Sequence, residues 1–178
     1  MIFKRIIFII FLPFSLFANS AYNSNLLDIQ AKVFPKIIIS DNDFEDKLIE
    51  NRVVYTILYE DIDYNTAEIL KEKIKKNYNS LKDYTLEVNI LKYSEFDIKN
   101  LSTAYLFLLG KEEKISEISK ILENKSRLSF AYDDRYLNFG VIFGLAISLK
   151  IDIFLNLKAL KNSKIELQNS IFNVVKIR

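Results

Sequence analysis

Three short, unbroken apolar runs, each adjoining a helix-spaced stripe, constrain this chain more than any other feature. Residues 53–59 (VVYTILY) are mostly β-branched and aromatic, and 104–109 (AYLFLL) and 128–132 (LSFAY) are apolar but for Ser129. A strand with no polar alternation must be buried on both faces, which happens where helices cover both sides of a sheet. After the first run, Ala67, Leu70, Ile74, Tyr78 and Leu81 recur at steps of 3, 4, 4 and 3. That spacing marks one helix face, with Asn65 and Glu68 as its cap. Residues 85–91 then alternate Leu86, Val88 and Ile90 with Glu87 and Asn89, a strand with one wet face nearer a sheet edge. Between the second and third runs, Ile115, Ile118 and Leu122 form the inner stripe of a helix over 111–123. Glu112 and Glu113 sit at its positive end. Strand and helix thus alternate as two β-α-β units, which implies a largely parallel sheet.

The flanks are less regular. Leu26, Leu27, Ile29 and Val33 predict a helix over 25–33, ended near Pro35. Residues 37–39 form a short apolar run, and Ser40 to Asp43 offer caps for a short helix carrying Phe44, Leu48 and Ile49. At the other end, 139–147 and 149–155 read as a β-hairpin, although no Gly or Asn marks its turn. Asn156 caps a helix over 157–161, and a last helix is expected over about 168–175. The expected fold is α/β: a three-layer, mostly parallel sheet from two βαβ-like units plus a C-terminal β-hairpin and helices, one domain over 22–178.

The N-terminus reads as an address. Lys4 and Arg5 precede an almost wholly apolar run from Ile6 to Phe17, followed by Ala18, Asn19, Ser20 and Ala21. That order is the three-part pattern of a secretory signal peptide over 1–18, cleaved between 18 and 21. The run is about 12 residues and Pro13 interrupts it, whereas a span needs roughly 20. The expectation is therefore a periplasmic protein that does not span the membrane after cleavage.

Composition removes several function classes. The sequence has no Cys and no His, so a thiol nucleophile, a Ser-His-Asp triad and disulfides are all excluded. Structural zinc loses its usual ligands. The formal charge is +2, and both surplus cations lie in the leader. The remaining chain is neutral, without the footprint of a nucleic-acid binder. Three glycines, Gly110, Gly140 and Gly144, are too few for either glycine-rich phosphate fingerprint. Gly140 and Gly144 instead suggest close sheet packing. No cofactor is expected.

Most of the chain after the leader, and above all its C-terminal half, resembles the YfiR-like (HmsC-like) family of small periplasmic α/β proteins, and the leader and the first βαβ unit fit too. The resemblance rests on the strand at 104–109, the helix at 111–123, residues 127–131, Gly140-Val141-Ile142, the strand at 151–155 running into Asn156-Leu157-Lys158-Ala159-Leu160, and the tail Phe172-Asn173-Val174-Val175. The family's Gly-apolar-Ile strand start is matched at Gly140 to Ile142, and its Ile-Asn-Leu junction by Leu155-Asn156-Leu157. The cysteines of well-known members are missing, and Phe139 stands where a second glycine is usual. The resemblance implies a non-enzymatic regulator that binds the sensor domain of an inner-membrane signalling protein, such as a diguanylate cyclase or sensor kinase. Through the cyclase it would govern cyclic di-GMP and biofilm. A homodimer is a possible assembly. A small solute-binding protein is the alternative, and an envelope hydrolase a third class.

Ligands of open α/β sheets gather at the carboxyl ends of the strands. Those ends offer Glu60, Asp61, Gly110, Lys111 and a loop with Tyr132, Asp133, Asp134, Arg135, Tyr136 and Asn138. The loop combines Tyr, Arg and paired acids, types suited to interfaces; a solvated loop with a surface ion pair is the plainer reading. Residues 61–72 begin like a calcium loop and have Glu72 in twelfth place, but Thr66 stands where Gly is required. Helix capping is the expectation there. No catalytic or metal residue is assigned.

Overall fold

The computed structural model describes residues 21–99 and 101–178. The leader lies outside the described residues. Helix α1 (Ser24–Ile38) leads to β1 (Val53–Tyr59), α2 (Tyr64–Asn77), β2 (Ser80–Leu81) and β3 (Tyr84–Lys92). β4 (Ala104–Phe107), α3 (Glu112–Asn124) and β5 (Leu128–Ala131) follow. The chain ends with β6 (Phe143–Ile147), β7 (Ile151–Leu155), α4 (Leu157–Ser163), α5 (Asn169–Phe172) and β8 (Val175–Ile177).

The strands form one sheet in the order β2-β3-β1-β4-β5-β6-β7-β8. β3, β1, β4, β5 and β6 run parallel, with β1 in register from Val53 opposite Leu86 to Tyr59 opposite Lys92. β6 and β7 make the expected antiparallel hairpin. β3 lies one strand from the edge, covered only by the two-residue β2.

All seven residues of β1 are buried because the two sides of the sheet carry separate cores. Val53, Tyr55 and Ile57 meet Phe34 and Ile38 of α1 and Leu70 and Ile74 of α2. Leu58, Tyr105 and Phe107 meet Ile115, Ile118 and Leu122 of α3. Phe130 joins the first core, with its ring centroid 4.8 Å from Phe34 and 5.5 Å from Phe143. The layers are helix, sheet, helix.

Several boundaries differ from expectation. Pro35 does not end α1; it sits inside the last turn, and Ile37 and Ile38 are buried beyond it. One missing N–H bond is offset by burial of two large side chains. Asn65 does not cap α2, which starts one residue earlier behind a 3₁₀ turn at Asp61–Asp63. The short helix near Phe44 is a single 3₁₀ turn, Glu45–Lys47. Phe139 belongs to a 3₁₀ segment, Asp134–Phe139, and not to the hairpin. Gly140 closes that segment at φ +94°, a conformation that favours glycine, so β6 begins only at Phe143. The tail helix is one turn long, and residues 175–177 instead add a strand parallel to β7. Backbone bonds from Arg178 N–H to the Leu155 carbonyl, and from Leu157 N–H to the Arg178 carbonyl, fix that strand.

Candidate functional site: a tyrosine-closed switch point

The strand order reverses between β1 and β4. β1 leads through α2 to β3 on one side, and β4 leads through α3 to β5 on the other, with α2 and α3 on opposite faces. At such a switch point the loops after the two central strands part and leave a crevice where ligands bind. Here those loops are Glu60 to Asp63 and Leu108 to Lys111. Glu60, Asp63, Gly110 and Lys111 line an open depression of about 390 Å³ together with Ala21.

Phenols already hold the backbone groups that a ligand would use. The Tyr22 hydroxyl accepts the Leu109 N–H at 2.9 Å. The Tyr136 hydroxyl accepts the Gly110 N–H at 3.1 Å and lies 3.2 Å from the Gly110 carbonyl, to which it donates. The Tyr93 hydroxyl donates to the Leu108 carbonyl at 2.6 Å. Tyr132 packs against Tyr22 with centroids 4.6 Å apart and the rings tilted by 56°, and its hydroxyl accepts the Asn23 N–H at 2.6 Å. Burial pushes all four phenols above the ordinary tyrosine value. Gly110 is required here, since a Cβ would stand 2.7 Å from the Tyr93 ring. Beneath the plug, the buried Gln30 amide donates to the Tyr132 carbonyl at 3.0 Å and the Ala131 carbonyl at 3.3 Å.

The candidate loop does not form one convergent surface. Tyr132 and Tyr136 are buried in the plug. Asp133 caps the 3₁₀ segment through the Arg135 N–H at 3.0 Å and grips the Arg135 guanidinium, with 2.9 Å from Nε to each carboxylate oxygen. That pairing holds the Asp133 carboxyl below the usual range. The Arg135 side chain is 76% exposed. Asp134 turns away to Arg178 Nη1 at 2.5 Å, and the Arg178 guanidinium lies 3.7 Å above the Phe154 ring. Two carboxylates with separate cations are not arranged to share one substrate atom.

Asn138 lies elsewhere, lining a second cavity of about 410 Å³ between α3 and α4. Asp61 pairs with Lys92 at 2.5 Å. Glu72 lies on α2 and pairs with Lys75, so residues 61–72 wind into helix and do not form a calcium loop. Among the described residues, no group of three or more acidic side chains could hold a metal ion.

Sequence reasoning placed Glu60, Gly110, Lys111 and the loop at one sheet edge but missed Tyr22, Tyr93 and Gln30. Tyr93 directly follows β3, which is its one usable signal. Tyr22 and Gln30 reach the site only because α1 packs across the sheet.

No family model matches the chain, and no curated protein matches it. Among solved structures, a conserved domain protein from Vibrio cholerae O1 biovar El Tor is similar, with a TM-score of 0.58, 10% identity and 85% of this chain covered. The ABC domain in complex with L-Trp from Streptococcus pneumonia is similar at 0.51, with 9% identity and 80% covered. The chain spans 59% and 62% of those two proteins. At such identities the likeness shows the fold, and that fold is α/β with a mostly parallel sheet.

Proposed function

We propose that this protein is an exported, non-enzymatic binding protein of the YfiR-like kind, which regulates an inner-membrane signalling partner by contact. The occupied switch point carries this reading. Where an enzyme of this fold would seat a substrate, the phenols of Tyr22, Tyr93 and Tyr136, from three segments, satisfy backbone groups of Leu108, Leu109 and Gly110. The outer surface of the plug presents Glu60, Lys111, the Asp133–Arg135 pair and Glu112, charges suited to setting register and encounter rate with a protein. Among the described residues, no helix is long and apolar enough to cross a membrane. The partner's periplasmic sensor domain would meet this edge of the sheet.

A photo-crosslinking residue in place of Arg135 tests it in envelope membranes. The expected result is one crosslinked inner-membrane sensor protein, with Lys75 on α2 as the silent control position. Arg135→Glu should lower recovery about tenfold, the effect of roughly 1.4 kcal/mol. Equal crosslinking from both positions, or none from either, would reject the contact reading.

A second reading, a small solute-binding protein, is favoured by the α3–α4 cavity and by likeness to a domain bound to L-Trp. A ligand bound by the native state alone raises the melting temperature. Thermal-shift screening with periplasmic metabolites would reveal it.

A further inference from the structure

We infer that the cavity between α3 and α4 is a binding site for a small hydroxylated oxyanion, of the sugar-acid or sugar-phosphate class. The inference rests on the solute-binding reading and assigns its site and ligand chemistry. At about 410 Å³ the cavity lies within the range of small-molecule sites. Lys120 comes to it from α3 and Lys158 from α4. Neither ammonium has a carboxylate within ion-pair distance among the described residues, although twelve such pairs occur elsewhere, Lys71, Lys73, Lys75 and Lys114 among their cations. Two cations without an ion-pair partner, facing a concavity that holds one carboxylate, raise the local concentration of anions.

The remaining polar groups fit hydroxyls. The Asn138 amide and the Ser116 hydroxyl line the cavity, are exposed and make no side-chain hydrogen bond among the described residues. An amide presents both donors and an acceptor, which suits adjacent hydroxyls that do the same. Glu123, the one acidic lining residue, is held by Asn162 Nδ2 at 3.4 Å, which leaves the lining at net +1. Asn156 shapes the wall and is already spent: its amide donates to the Leu137 carbonyl at 2.7 Å and accepts the Ala159 N–H at 2.9 Å.

Two features around the cavity agree. Gly140 keeps the wall free of a side chain. Behind that wall, not in the lining, Ser119 has its Cβ 3.4 Å from where a Gly140 Cβ would stand; it is 2% exposed, and among the described residues its Oγ has no hydrogen-bond partner. A buried hydroxyl without a partner is costly in a finished core and is expected beside a site that a polar ligand or its water completes.

Amide chemical-shift titration of the purified protein, in the form the cell accumulates, tests the site. The probes are glucuronate, glucose 6-phosphate, inorganic phosphate, glucose and L-tryptophan. Saturable shifts at Lys120, Asn138 and Lys158 with glucuronate or glucose 6-phosphate, and a Kd below about 1 mM, are expected. Glucose should bind at least about tenfold more weakly, and Lys120→Glu with Lys158→Glu should weaken the anions by the same factor. The stronger of the two anions identifies the source as carboxylate or phosphate. Saturation of these residues by glucose or L-tryptophan but not by the anions would overturn the ligand class and leave a solute-binding protein. Saturation by inorganic phosphate alone would overturn the hydroxyl requirement. Absence of a saturable shift with all of the probes would overturn the site, and the reading beneath it would then stand or fall on the thermal-shift screen.

Discussion

The Tyr132 hydroxyl sits 2.6 Å from the Asn23 backbone nitrogen, whose hydrogen it accepts, so the loop after β5 is fastened to the N-cap residue of α1. Asn23 in turn caps that helix, accepting from the Asn25 and Leu26 N–H groups at 2.9 and 3.2 Å. One phenol therefore joins the start of the described chain to the carboxyl edge of the sheet. Replacing Tyr132 or Tyr22 with Phe should cost about 1–3 kcal/mol each, because a part-buried backbone N–H loses its acceptor. Urea unfolding of the two variants checks this. An unchanged midpoint would mean that water replaces the phenol freely.

The same phenols set an alkaline limit. Tyr22, Tyr93, Tyr132 and Tyr136 all have raised pKa values in the folded state, with burial as the largest cause. A raised folded value means that the unfolded chain loses these protons first. Their contribution is fully present below the unfolded tyrosine value of about 10 and is lost as pH rises beyond it. Urea midpoints measured from pH 8 to pH 11 should hold steady and then fall near about pH 10. The part of the tyrosinate absorbance that these four phenols contribute, obtained by difference from their Phe variants, should rise together with unfolding.

Gly144 is a packing requirement. A Cβ there would lie 2.5 Å from Leu137 Cδ1 and 3.1 Å from the Asp134 Cα. Gly144→Ala should destabilise by about 1–3 kcal/mol through overpacking. It should also loosen the 3₁₀ segment over β6, seen as faster amide exchange at Tyr136 and Gly140. A neutral substitution would show that this segment moves aside at no cost.

Lys47 and Asp41 form a buried ion pair near the amino end of β1, with side chains 10% and 2% exposed. The Lys47 carbonyl also accepts from Thr103 Oγ1 at 3.0 Å and Arg127 Nη1 at 2.9 Å. Lys47→Met should cost about 3–5 kcal/mol, since it strands a buried carboxylate. Adding Asp41→Leu should recover part of that loss. If the double variant is as unstable as the two single changes summed, the pair is not coupled.

The parallel core was legible because its signals are local. The runs at 53–59, 104–109 and 128–132 have no wet face, and Ile115, Ile118 and Leu122 repeat at helical spacing, so each segment states its own burial. The cap at Asn156 was legible for the same reason: its side chain meets the Ala159 N–H three residues on. Segments whose local preferences are weak were misread. Residues 173–177 can wind or extend, and the free backbone edge of β7 decided for extension. Pro35 ends many helices, and the buried Ile37 and Ile38 kept this one going.

The sequence by itself determined the α/β class, the alternation of elements and the residue types at the sheet's carboxyl edge, because hydrophobic period and chain order are properties of neighbours along the chain. Only the tertiary structure decided that Tyr22, Tyr93 and Tyr136 fill the switch point, that Asp134 leaves Asp133 for Arg178, and that Asn138 faces a different cavity. Those contacts join residues far apart in the chain, and no local pattern specifies which hydroxyl finds which backbone group. Packing of α1 across the sheet, and the turn at Gly140, set those pairings.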